Sequence, residues 1–174
     1  MSGQPRPGRL GLIQDFGIER AVELNSQTNF PWLLSNLHCS DGSPLAGTKD
    51  THVIEKHGLR FGFMGLAEID WVTTLNCIDL DDVDYEDFIS AGNKIAQHLR
   101  EVERCDFVIA LTHLRNHNDQ LLAQHSKGID YILGGHDHVV SFHPDLPPPE
   151  VSRVAVCQVR HRLPKFFRDR GVAI

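Results

Sequence analysis

The sequence predicts an α/β layered fold. Two short apolar runs, DFVIALT at 106–112 and IDYIL at 129–133, read as strands buried on both faces. A short helical stretch joins them. A hairpin and then the longest amphipathic stretch of the chain precede them. Strand and helix therefore alternate, the order that lays helices onto a sheet.

Residues 1–14, MSGQPRPGRLGLIQ, are rich in Gly, Pro and Arg and read as a flexible arm. From Asp15 a helix is expected, with Ile18, Ala21, Val22 and Leu24 apolar on one side and Glu19, Arg20 and Glu23 opposite. It stops before Asn29, since Pro31 disfavours helix in the residue before it. Phe30 to Leu37 reads as a strand and 39–50 as a turn-rich loop. His52 to Glu55 and Leu59 to Leu66 form a hairpin around Lys56–Gly58. In its second strand, small Gly62 and Gly65 alternate with large residues, which suits a crowded sheet interior. Residues 67–84 read as an acidic loop with Trp71, and Tyr85 to Arg104 as the longest helix. Asn118 to His125 is a short helix with Asn118 as its cap, and Ile129 to Leu133 a strand ended by Gly134–Gly135. From Ser141 the periodicity dissolves, so 141–174 is expected as a disordered basic tail.

The chain has 174 residues, 41% hydrophobic and 23% charged, which suits one packed domain. Apolar runs such as Phe107 to Leu111 are too short to cross a bilayer, so no membrane span is expected. Formal net charge is −6, and residues 15–140 hold 20 acidic against 9 basic side chains. An acidic body argues against nucleic acid as a partner, because a duplex binder needs basic surface to displace counterions. Four cysteines, at 39, 77, 105 and 157, show no CxxC spacing, so no zinc knuckle or thioredoxin-type site is indicated. Cys77 and Cys105 read as buried small hydrophobes. The first residues carry no apolar signal region, so the expected compartment is the cytoplasm, with reduced thiols.

The chemistry-bearing residues stand where strands end. DFVIALTH puts His113 just past the carboxyl end of one strand, and IDYILGGHDH puts His136 and His138 past the end of the next. In open α/β sheets, these loops are where ligands bind. Neutral imidazoles ligate divalent ions, and two histidines two apart can serve two neighbouring ions. An isolated HxH is also common as surface or packing histidine. It is the two strand ends together, joined by a short helix, that point to metal. His52, His57 and His98 read as ordinary surface or loop residues; His117 and Asp119, close after His113, read as a solvated helix start, with a supporting role behind the ligands as the alternative.

On these residues the sequence resembles the metallophosphoesterase (calcineurin-like phosphoesterase) superfamily, in its 5′-nucleotidase-like branch. The resemblance runs from about Asp15 to His138 and rests on three stretches. DFGIERAVELNSQTNFPWLLSNL looks like the segment following the family's GNHEFDFG motif. HGLRFGFMGLAEIDWVTTL looks like its paired strands, and CDFVIALTHLRNHNDQLLAQHSKGIDYILGGHDH like the stretch with its last three metal ligands. The resemblance implies a partial layered metallophosphoesterase-type β-sandwich flanked by helices, over 15–140. It implies divalent metal ions (manganese, zinc or similar) as cofactors and a nucleotide-like phosphomonoester as substrate. His113 and His136 would bind one metal and His138 the other. Asp15 would be the remnant of the acid that orients a catalytic histidine.

The resemblance also has departures. No D-x-H precedes Asp15, and Leu12 and Gly11 stand where the family's catalytic histidine and ligand asparagine belong. The expectation is therefore a hydrolase that is inactive or impaired in this chain, or a short form that binds a full-length family partner, or an unstable fragment without function. The tail has a reading of its own. Residues 157–167, CQVRHRLPKFF, become VKSGTDFRNFS when a consistent choice of codons is read one nucleotide forward. That resembles the strand that the family carries after its GGHxH motif, so the chain is expected to leave the family frame after about Val140. Genomic sequence tests this: the shifted frame should encode that strand, and a shifted frame that encodes anything else ends the idea.

Overall fold

The computed structural model describes residues 17–74, 80–137, 141–143 and 155–158. Helix α1 (Gly17–Gln27) leads to a short strand β1 (Leu37–Cys39). Strands β2 (Thr51–Lys56) and β3 (Leu59–Ala67) form the expected hairpin. Helix α2 (Ile69–Thr74), strand β4 (Val83–Tyr85) and helix α3 (Phe88–Glu101) follow. Then come β5 (Phe107–His113), α4 (Asn116–His125), β6 (Tyr131–Gly134), β7 (Ser141–His143) and β8 (Ala155–Gln158).

The main sheet has the order β2-β3-β5-β6-β8-β7, and a second sheet pairs β1 with β4. Strands β3, β5, β6 and β8 run parallel, while β2 and β7 are antiparallel edges. The fold is thus α/β with a mixed sheet. All four parallel strands present their carboxyl ends on one edge. Among the described residues no helix is long and apolar enough to cross a membrane.

Each element has a local cause. The hairpin turn is His57–Gly58, both with positive φ (56° and 75°), the two-residue geometry that matches strand twist. Asp87 caps α3, its carboxylate accepting from the N–H groups of Ile89 and Ser90. Leu99 and Ala96 of α3 are fully buried beside Val108, Ala110 and Ile132 of the sheet, and Leu122 of α4 joins the same core. Burial pushes the Cys105 thiol up, in line with the small buried hydrophobe expected there. Arg100, near the end of α3, ties down the amino ends of two strands. It pairs with Asp130 at 2.5 Å and donates to the Asp106 carbonyl at 2.6 Å. Asp130 in turn accepts from the Val108 N–H at 2.7 Å.

Several expectations change. Phe30 to Leu37 is not a strand: only Leu33 makes an isolated bridge, to Lys49, and the strand starts at Leu37. The segment instead crosses the end of β3, where the Ser35 N–H donates to the Gly65 carbonyl at 2.7 Å. Buried Asn36 uses both ends of its amide there, on the N–H and carbonyl of Ala67. Residues 67–84 are not a plain loop, since α2 and the start of β4 lie within them. Tyr85 belongs to β4, so the long helix starts at Phe88. Within the expected disordered tail, Ser141–His143 and Ala155–Gln158 are strands, and β8 pairs with β6. A short strand added to an existing ladder needs no periodicity of its own, because partner backbone supplies its hydrogen bonds. Cys77 lies outside the described residues.

The two strand glycines have distinct reasons. A Cβ on Gly62 would stand 2.8 Å from the Cys105 sulfur, so α3 and its following turn pack close. A Cβ on Gly65 would collide with the carbonyl of Leu33, which is backbone and cannot swing away. We expect Gly65→Ala to lower unfolding free energy by about 1–3 kcal/mol, the usual cost of overpacking. Urea denaturation checks this, and an unchanged midpoint contradicts the close crossing.

Candidate metal centre

β5 and β6 are neighbours in register, with Thr112 opposite Gly134. Their carboxyl ends therefore finish side by side, one closing in His113 and the other turning into His136. His113 is the last residue of β5 rather than lying past it. His136 Nδ1 and His113 Nε2 are 3.0 Å apart, and the rings meet edge to face with centroids 4.8 Å apart. Both residues are half-buried. In that hydrogen bond one ring donates its N–H and the other accepts. Two zinc–nitrogen bonds of about 2.1 Å at the tetrahedral angle span about 3.4 Å, so rings that meet at 3.0 Å need part only slightly to share a cation.

Two imidazole nitrogens are donors that suit a divalent cation. Among the described residues no third His, Cys, Asp or Glu joins these two to complete a cluster. Asp15 and His138, the other two residues expected at the site, lie outside the described residues.

Carboxylates hold the residues beside the pair. Asp119 is fully buried, and accepts a hydrogen bond from Thr112, next to His113, at 2.6 Å. The expected solvated helix start is therefore wrong for this residue. The T-H-x5-D spacing folds Asp119 back onto the strand end within the first turns of α4. Asn118 is not the cap of α4 either. Helix α4 begins at Asn116 with Arg115 in the cap position, and Arg115 makes no side-chain cap bond.

Helix starts leave N–H groups without partners. Here they are met from outside. Asp137, between the two HxH histidines, accepts from the Asn116 N–H at 2.6 Å. Glu68, the residue after β3, accepts from the Arg115 N–H at 3.5 Å and from the Asn118 side-chain amide. Two carboxylates thus sit at the positive end of α4, where negative charge is favoured. Glu68 is only 4% exposed yet charged-partnered, since Arg115 Nη1 lies 2.9 Å from its Oε1. The same Nη1 lies 2.7 Å from Asp70. The Asp70 hydrogen bond and the Glu68 charge hold the guanidinium above its ordinary pKa.

Sequence reasoning passed over Glu68, Asp70 and Arg115. One signal was available: Glu68 follows the carboxyl end of β3, level with His113, since Ala67 and His113 are paired.

Comparison with known proteins follows the same line. A family described as calcineurin-like phosphoesterase matches residues 15–140. The chain is 30% identical over 95 residues to the trifunctional nucleotide phosphoesterase protein YfkN of Bacillus subtilis (strain 168), covering 55% of this chain and 6% of that one. It is 26% identical over 135 residues to a 5′-nucleotidase of Vibrio cholerae, covering 70% and 24%. The chain therefore spans a quarter or less of these relatives' length. A 5′-nucleotidase precursor from Thermus thermophilus superposes with a TM-score of 0.61 at 24% identity, over 80% of this chain and 29% of that one. This likeness shows a shared fold.

The external capping gives a direct test. Asp137→Ala should strip protection from the Asn116 amide in hydrogen exchange and lower stability by about 1 kcal/mol, the scale of a lost helix cap. Unchanged Asn116 exchange contradicts the contact.

Proposed function

The chain belongs to the calcineurin-like phosphoesterase family, in its 5′-nucleotidase-like branch, and from that premise we propose that it carries one side of a metal-dependent phosphoesterase centre. Its substrates are nucleotides or related phosphomonoesters. The observation that carries this reading is the meeting of His113 and His136 at 3.0 Å on adjacent parallel strand ends.

The residues divide the work as follows. His113 and His136 offer neutral imidazole nitrogens to one divalent cation. Asp119, through Thr112, fixes the strand end that carries His113. Asp137, through the Asn116 N–H, fixes the turn that carries His136. A bound cation supplies Lewis-acid stabilisation of phosphoryl oxygens and a water of lowered pKa. Two imidazoles offset none of the cation's charge, and no carboxylate ligand stands with them among the described residues. Affinity for the cation is therefore modest, and we propose that the 174-residue chain alone hydrolyses phosphomonoesters slowly or not at all.

The test is zinc binding by calorimetry, with His113→Ala and His136→Ala alongside. The wild-type chain should bind zinc, and each substitution should weaken binding by about tenfold or more. Zinc binding untouched by both substitutions contradicts the reading.

A further inference from the structure

We propose that Arg115 grips the anionic oxygens of the phosphate ester through the Nε–Nη2 edge of its guanidinium, while Glu68 and Asp70 hold its Nη1. This rests on the phosphoesterase reading above and names a further residue of that site.

Arginine carries five N–H donors in a rigid plane. Here both carboxylates converge on one nitrogen: Nη1 lies 2.9 Å from Glu68 Oε1 and 2.7 Å from Asp70 Oδ2. Among the described residues, Nε and Nη2 meet no acceptor, and the side chain is 39% exposed. Glu68 is nearly sealed, with its side chain 5% exposed. The guanidinium is therefore anchored on one side and open on the other. An open side-on edge is the half of an arginine that matches two phosphate oxygens at once.

Position supports the same use. Arg115 is the second residue after His113. The next N–H along, that of Asn116, is fixed to Asp137, which adjoins His136. The end of β5 and the two residues after it thus carry both an imidazole and the fork. Anchoring also limits the rotamer freedom that a long side chain loses on gripping a ligand.

The local charge sets a condition. Glu68, Asp70 and Asp137 outnumber Arg115, so this corner repels an anion until a divalent cation joins His113 and His136. Anion binding should therefore depend on the cation. A purely structural clamp behaves differently. Lysine keeps a positive charge for Glu68 and Asp70 but has no second edge, so Arg115→Lys separates the two roles.

The probe is methylphosphonate, a phosphate-like anion with no ester to cleave, titrated into the full chain with and without saturating zinc. Zinc binding is measured first, by itself. The expected results are phosphonate binding with zinc only, a shift of the Arg115 Nε–H resonance on binding, and about tenfold weaker binding in Arg115→Lys with zinc affinity and melting temperature kept. Equal phosphonate affinity in Arg115→Lys overturns the proposal, as does binding that ignores zinc. If Arg115→Lys loses its cooperative melt, the wild-type Nε–H resonance decides: a shift supports the fork and a stationary signal overturns it. A chain that takes no zinc overturns the phosphoesterase reading itself, and this proposal with it.

Discussion

The site depends on one constraint: β5 and β6 are adjacent, parallel and in register. Backbone pairing of Thr112 with Gly134 brings two strand ends to one point, and His113 and His136 meet there at 3.0 Å. Parallel neighbours need a crossover between them, and here it is short, with α4 alone bridging the strands. At the far end of the same strands, Arg100 and Asp130 hold the amino ends together. The imidazole pair is thus a consequence of sheet geometry set by contacts that never touch it.

The start of α4 is the second organising feature. It has no side-chain cap of its own, so its N–H groups draw carboxylates from the loops after β3 and β6. Glu68 and Asp137 come from different strands and converge on one helix end. This links three strand ends through charge and hydrogen bonding. It also explains how a buried glutamate is tolerated: Glu68 has Arg115, an N–H and an asparagine amide as partners. Glu68 and Asp137 thus each spend one carboxylate oxygen on the N–H groups at this helix start.

The parts of the fold legible in sequence were those with local causes. The apolar runs of β5 and β6 show in composition, and the His57–Gly58 turn between β2 and β3 shows in pattern. His113 and His136 were legible because ligands gather at carboxyl ends of strands, a rule that needs only element order. Phe30 to Leu37 was misread because its apolar residues look like a strand. Its role is set by Gly65, far along the chain, which lets it cross the sheet closely. Asp119 was left between a supporting role and a solvated helix start because its partner, Thr112, becomes its neighbour only once the chain reverses from β5 into α4. β8 has no pattern of its own, since its pairing comes from β6.

The proposed centre requires the two imidazoles to take one cation together. X-ray absorption on the zinc-loaded chain measures this most directly. Shared ligation gives the outer-shell scattering of two imidazoles per zinc, with oxygen filling the remaining positions. A zinc spectrum with no imidazole scattering, or one dominated by sulfur, contradicts it.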